Sequence, residues 1–325
     1  MGIFSKLGLC VTAASMMFAT VATADQKLAI GTTSSKSSFY GYFVAVSNIL
    51  NSKVDGVTAK AVETGATIDN INRMGRNQLD MGLVTTNTLS DAYDGVGKFE
   101  GKPIKSKILW VYYVAPQVSL VREDSGVQSY ADLKGKEFNP GLRGSSTEAT
   151  TDSVFKTLGI EVDAFRGGSA DARDAVKDNQ IVGMTSSSMG EKYSATQVDL
   201  STFTTMRPLT ISDEQAKVIA EKHPQLAIVD IPAGAGKGAP AFKTWAFALA
   251  TSASPEMDTD TAYKIVKAVI ENRQTQTDAM KSTGAVNFAQ ATVDLSTSPL
   301  HPGAIKYLQE IGIVVPDRLI ALEDK

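Results

Sequence analysis

From residue 27 onward, short runs of strand character alternate with amphipathic helical stretches, and several strands hand over to a helix through a turn of small and hydroxyl-bearing residues. A chain written this way folds as parallel strands covered by helices, because a helix is the ordinary crossover between parallel neighbours. Residues 27–31 read as a strand and 40–53 as a helix with Tyr40, Phe43, Val44, Ser47 and Leu50 near one face. Residues 57–63 alternate as a strand, 67–77 as a helix and 79–84 as a strand. A second unit repeats the alternation, with strands over 136–139, 161–165 and 181–185 and helices over 147–158 and 170–178. Between the units, 108–114 and 118–122 are β-rich and continuous apart from Pro116. Further on, Ser212 is placed to cap a helix over 213–222. Residues 231–240 read as a loop, 244–250 as a returning strand and 258–282 as one long helix. Pro302 opens a last helix reaching Ile311.

Two α/β units and two β-rich crossings imply two lobes, a hinge and a central cleft. At 325 residues the chain is also longer than one core usually serves. The expected division puts 25–117 and 243–325 in lobe I and 118–242 in lobe II. Such a cleft suits ligand capture by lobe closure. The ligand belongs at the carboxyl ends of the strands, where helix starts face one another. With 43% apolar residues the chain is not predominantly disordered. A net charge of −3 without a basic stripe argues against a nucleic-acid partner.

The first 24 residues stand apart. Lys6 gives a positive start, 7–19 are almost wholly apolar or small, and Ala22 and Ala24 sit where a signal peptidase reads small residues. This is the pattern of a cleaved secretory signal peptide over 1–24, with the mature chain starting at Asp25 in a bacterial periplasm. An uncleaved anchor would need a longer apolar run, and a lipoprotein at Cys10 would need a small residue where Leu9 stands. Cys10 is the sole cysteine, so the mature chain carries no thiol, which suits an oxidising compartment.

Three turns share one design: Gly31 to Ser38, Thr64 to Thr67, and Gly141 to Thr147. Main-chain N–H groups at a helix start carry about half a positive charge, and Ser or Thr hydroxyls add donors, so such a turn is ready for an anion. An ordinary N-cap accounts for any one of them alone. Three at the ligand-binding edge of the sheets favour a site. Within the third turn, Arg143 is either a guanidinium that holds a carboxylate through two parallel hydrogen bonds or a solvated loop arginine. Glu148, in the first helical turn, either complements the dipole or accepts from a ligand ammonium. Lys36 in the first turn reads as solvated. Tyr112 and Tyr113 alternate on a strand and read first as core. Thr85 to Asn87 and Ser186 to Ser188 are further polar clusters at strand ends and read as ordinary loop rather than contact.

The patterns of catalysis are missing. His223 and His301 are the only histidines, each followed by proline, and no paired-histidine metal spacing exists. Gly-x-Ser-x-Gly does not occur, and no histidine base serves the serines. Gly236-Lys237 has the end of a phosphate loop, but Ile231 stands where its first glycine belongs and Gly238 where Ser or Thr is needed. Glu123 and Asp124 lie beside Gly126 in a turn and read as solvated. No metal, cofactor or catalytic residue is expected.

Several motifs occur in a familiar order. They are Ile30-Gly31-Thr32 opening a small-residue turn that ends in Phe39-Tyr40, Glu63 to Thr67 (ETGAT), and Asn77 to Val84 (NQLDMGLV). Val121 to Gly126 then leads to Tyr130 to Lys136, followed by Gly144-Ser145-Ser146-Thr147-Glu148, Ile231 to Gly234 (IPAG) and Leu300 to Ala304 (LHPGA). In this the chain resembles the TAXI family, the extracytoplasmic solute receptors of tripartite ATP-independent periplasmic (TRAP) transporters. The resemblance implies a two-lobe, type II periplasmic-binding fold and a monomeric receptor that hands a small carboxylate, glutamate- or 2-oxoglutarate-like, to a membrane permease. It implies a pocket built from Thr32, Ser37, Ser38, Phe39 and Tyr40, from Thr64, Gly65, Ala66 and Thr67, and from Thr86 and Asn87. Ser145, Ser146, Thr147 and Glu148 complete it, Arg143 joins them from the reading of the third turn, and the Leu300 to Gly303 segment looks structural. Two departures stand out. The family's glycine-rich first turn is here GTTSSKSS, and a tyrosine common after Ile-Pro-Ala-Gly is replaced by Ala235-Gly236-Lys237. Extra hydroxyls and Lys36 lean toward a dicarboxylate. The alternatives are a sensing module that addresses a receptor kinase and a cofactor-independent enzyme with Glu148 as base.

Overall fold

The computed structural model describes residues 26–324 apart from Lys36. The expected signal peptide, Cys10 and Lys36 lie outside the described residues. Among these no helix is long and apolar enough to cross a membrane.

The chain opens with β1 (Gln26–Gly31), α1 (Ser38–Lys53), β2 (Val57–Val62), α2 (Thr67–Met74), β3 (Met81–Thr85) and α3 (Thr86–Asp94). β1 lies between β2 and β3, parallel to both. β4 (Lys107–Arg122) is one 16-residue strand. Next come β5 (Glu137–Asn139), α4 (Ser146–Leu158), β6 (Asp163–Ala164), α5 (Ser169–Lys177) and β7 (Gly183–Ser187). β5 lies between β6 and β7, again parallel to both. α6 (Ala195–Phe203), β8 (Met206–Pro208), α7 (Asp213–Lys222) and β9 (Ala227–Ile231) lead to a second long strand, β10 (Phe242–Ala253). The remainder is helical: α8 (Thr259–Glu271), α9 (Arg273–Ala279), α10 (Phe288–Leu295) and α11 (Pro302–Glu310).

The sheet runs β2-β1-β3-β10-β4-β7-β5-β6, with β8 on β4 and β9 on β10. The fold is therefore α/β, as expected: a mixed sheet in two halves, each with three parallel strands whose first strand is central. β10 is antiparallel to β3 and β4, and β4 is antiparallel to β7. Both long strands change partner at one level. β4 pairs with β10 as far as Pro116, opposite Ala246, and with β7 from Gln117 onward. β10 pairs with β9 over Phe242 to Ala246.

Three sequence expectations need correction. Pro116 does not divide two strands. It stands where β4 exchanges partners, a place that tolerates a residue without an N–H. Residues 85–87 are not a strand-end loop, because Thr85 ends β3 and caps α3 with no residue between. The helix over 258–282 breaks at Asn272 (φ −112°, ψ 48°). There Asn272 Nδ2 donates to Ala268 O (2.8 Å) and Gln276 Nε2 to Val269 O (2.6 Å), so side chains replace main-chain donors. Tyr42 Oη, donating to Gln276 Oε1 at 2.8 Å, ties the break to α1.

Aromatic groups fill the core of each half. Tyr42 stacks on Tyr112 (4.4 Å between centroids) with Phe43 edge-on to both, and Tyr130, Phe138, Phe155 and Trp245 cluster in the other half. His301 caps α11 by accepting from Gly303 N (Nδ1, 3.2 Å) while its Nε2 lies 3.0 Å from Met257 O. A Cβ on Gly303 would lie 2.5 Å from Thr259 O, so glycine lets α11 close on α8. These contacts hold the start of α11 against α8 and the turn before it.

Candidate functional site

The starts of α3 and α4 meet side chain to side chain. Ser146 Oγ bonds both Thr85 Oγ1 (2.8 Å) and Thr88 Oγ1 (2.9 Å), and Asn87 Nδ2 donates to Thr150 Oγ1 (2.8 Å). All five residues are buried. α4 is capped by Ser145, whose Oγ accepts from Glu148 N (3.2 Å). α3 has no side-chain cap and no acid in its first turn. The first N–H groups of any helix lack intrahelical partners, and no side chain caps those of α3. Thr86, Asn87 and Thr88 are each at most 5% exposed. Among the described residues, Thr86 Oγ1, Asn87 Oδ1 and Thr151 Oγ1 also lack hydrogen-bond partners. Two positive helix ends brought together, with the unpartnered Thr86 and Thr151 hydroxyls beside them as donors, favour an anion.

The α4 side chains are otherwise committed. Glu148 Oε2 accepts from Gly144 N (2.7 Å) and Oε1 from Arg166 Nη1 (3.0 Å), while Arg166 also grips Asp152 at 2.7 and 3.0 Å. Thr147 Oγ1 donates to Gln117 Oε1 (2.8 Å). Gly141, with φ at 145°, brings its loop so close to α4 that a Cβ would lie 2.5 Å from Glu148 N. Arg143 is exposed, and its guanidinium makes no bond among the described residues. The partner of the buried acid is Arg166 instead.

The first two turns tie to each other. Thr32 Oγ1 donates to Val62 O (2.7 Å), Thr64 Oγ1 to Thr32 O (2.9 Å), and Asn70 Nδ2 to Thr32 O and Leu83 O (2.9 Å each). Ser37 caps α1 by accepting from Phe39 N (3.2 Å), Ser38 is exposed, and Tyr40 is half-buried. Gly65 is exposed and donates its N–H to Asp69 Oδ2 (3.0 Å); Thr67 is buried. Ala66 caps α2 at φ 72° and ψ −154°, a conformation strained for alanine. Phe39 meets Tyr113 edge-on at 5.9 Å, and Tyr113 Oη donates to Ser188 O (3.1 Å), joining the α1 start to the turn after β7. Burial holds the Tyr113 phenol above its ordinary range.

The structure thus joins Thr86 and Asn87 to the α4 start, and Thr32 to Thr64, with Phe39 on Tyr113. It leaves Arg143, Ser38 and Gly65 facing solvent. Sequence reasoning named Thr85 only within a strand-end cluster and passed over Thr88, Thr150 and Gln117. Gln117 left one signal, a lone amide beside proline inside an apolar run. A separate cavity of about 510 Å³ lies where β4 begins and β10 ends. Its Lys107 pairs with Glu323 (3.3 Å) and Asp324 (2.6 Å), and its His301 is the α11 cap.

Two halves repeating one strand order, bridged by two long antiparallel strands and meeting at helix starts, define the type II periplasmic-binding class of α/β proteins. Residues 30–312 match the NMT1-like family, and the chain belongs to it. Among solved structures it is similar to the periplasmic aliphatic sulphonate binding protein SsuA from Escherichia coli (14% identity, 87% of this chain and 78% of that one, TM-score 0.45). It is similar to the alkanesulfonate-binding protein SsuA from Xanthomonas axonopodis pv. citri bound to MOPS (17%, 89% and 85%, 0.48). A third is a TRAP periplasmic solute binding protein from Sulfitobacter sp. NAS-14.1 with bound β-D-galacturonate (12%, 89% and 88%, 0.49). These are likenesses of outline at low identity and carry no ligand across.

Proposed function

We propose that the chain is the periplasmic solute-binding component of a membrane transporter and captures a small carboxylate between the two halves of its sheet. The observation that carries this is the buried, uncapped start of α3 against the start of α4. The positive end of a helix with no side-chain cap suits a carboxylate, and the low exposure of Thr86 to Thr88 keeps bulk water away. The expected division, 25–117 with 243–325 and 118–242, falls within a few residues of the level at Pro116 to Gln117 and Ala246 where β4 and β10 exchange partners, which serves as the hinge. The sequence resemblance supports a TRAP-type permease as recipient and a glutamate- or 2-oxoglutarate-like dicarboxylate as ligand. Binding without turnover fits Glu148, the candidate base, whose two oxygens are held by Gly144 and Arg166.

A thermal-shift screen of residues 25–325 against small carboxylates, amino acids, sugars and polyamines tests this. A ligand at ~100 times its Kd stabilises by about 2.7 kcal/mol, a shift of several degrees. A shift by carboxylates that disappears in Asn87→Ala is the expected result. A shift by sugars or polyamines alone overturns the carboxylate assignment.

A further inference from the structure

Gln117 is fully buried at the level where β4 leaves β10 for β7, one residue after Pro116. Its carboxamide is used at both ends. Nε2 donates to Ala115 O (2.8 Å) and Ser187 Oγ (3.0 Å). Oε1 lies 2.8 Å from the Thr147 hydroxyl and 3.3 Å from that of Ser187. Its main-chain oxygen accepts from Thr244 Oγ1 on β10. One side chain therefore connects the crossing strand to the first turn of α4 and the end of β7, and its main chain holds the other crossing strand. A hydrophobic residue would fill this place in a strand whose neighbours are apolar. The amide is the residue type whose two donors and two acceptor sites match this set of partners.

We infer that Gln117 is a positioning residue: it fixes the first turn of α4, and so the main-chain N–H groups of Ser146 and Thr147, relative to the crossing strands. The inference rests on the reading above that the α4 start forms part of the ligand site. Thr147 then serves the site through its N–H, since its hydroxyl is held by Gln117. Movement of one half about the crossing strands carries the α4 start with it, because the Gln117 amide spans that level.

The test is amide hydrogen exchange of the mature chain, which needs no ligand. Gln117→Met keeps the length of the side chain and removes its hydrogen bonds. The amides of residues 149–152 in α4 are expected to exchange about tenfold faster, with those of residues 46–50 in α1 unchanged. Thr147→Val cuts the same link from the other side and should reproduce the α4 effect. Gln117→Glu keeps an acceptor for Thr147 and, when protonated, an O–H for Ala115 O, so at acid pH it should exchange more slowly than Gln117→Met. Equal acceleration in α1 and α4 makes Gln117 a general brace and overturns the inference, as does no change in α4 in either the Gln117→Met or the Thr147→Val variant. If Gln117→Met fails to fold, Thr147→Val decides alone. A carboxylate screen that finds nothing strikes the functional reading and leaves the exchange result standing.

Discussion

The two halves of the sheet repeat one strand order but differ in depth. β1, β2 and β3 run six, six and five residues, whereas β5, β6 and β7 run three, two and five. Their turns are held differently as a result. In the deep half, Thr32, Thr64 and Asn70 reach along the ladder to neighbouring main chain. In the shallow half little ladder reaches the turns, and the α4 start is held by the Glu148–Arg166–Asp152 group and by Gln117 from the crossing strand. A short sheet can present a helix start as firmly as a long one, provided charges and a neighbouring strand replace the missing ladder.

The shallow half should therefore tolerate less where its strands touch. A Cβ on Gly183 would lie 2.1 Å from Leu120 O and 2.8 Å from Val121 Cα, main-chain atoms that move only if β4 and β7 part. On Gly31 it would meet side-chain atoms, Leu79 Cδ1 at 2.4 Å and Asn70 Oδ1 at 2.5 Å. Gly183→Ala is expected to cost about 3 kcal/mol or more and Gly31→Ala about 2 kcal/mol, since overpacking is relieved more readily by side chains. Urea unfolding of both variants orders them, and the reverse order would break the comparison.

Next in size are the two ways of holding a turn. Asn70→Ala removes two buried hydrogen bonds and should cost about 2 kcal/mol with no dependence on salt. Glu148→Gln weakens a charge-assisted contact with the half-exposed Arg166 and should cost about 1.5 kcal/mol, less at high salt. Unfolding at low and at 1 M salt separates them. If Glu148→Gln costs the same at both, the ionic account of the shallow half is wrong.

How far the sequence reached follows the same divide. Alternation of short apolar runs with helices gave the α/β class and both sets of parallel strands, because burial period and crossover geometry are local signals. The exchange of partners at Pro116 was not legible, since a proline reads as a break unless the strands on either side of it are known. Asn272 and Gln276 hid a helix break because their bonds to Ala268 and Val269 compete with a helix only in three dimensions. At the site, the hydroxyl-rich turns were visible but their partners were not. Ser146 bonds residues some 60 positions earlier, and Glu148 takes Arg166, 18 residues on, rather than nearby Arg143.

The smallest effect concerns the two helices that meet. α4 carries Glu148 in its first turn and Lys156 in its last, both favourable to its dipole. α3 has no acid at its start and ends with Asp91 and Asp94, against its dipole. Burial, with the charge of Asp94 added, pushes the half-buried Asp91 carboxyl up to about 6. A carboxyl raised in the folded state holds its proton there while the unfolded chain has lost its own. This group therefore takes stability away as pH rises from about 4 to 6, and the loss is complete above that. Asp91→Asn should stabilise the protein at pH 7 by about 1 kcal/mol, a figure already reduced for solvent screening. The gap between variant and parent should close by about pH 4, where both side chains are neutral. Urea midpoints at pH 4 and 7 measure that gap. A gap of equal size at both values would mean that the substitution acts through packing, and that α3 is not the electrostatically opposed partner of α4.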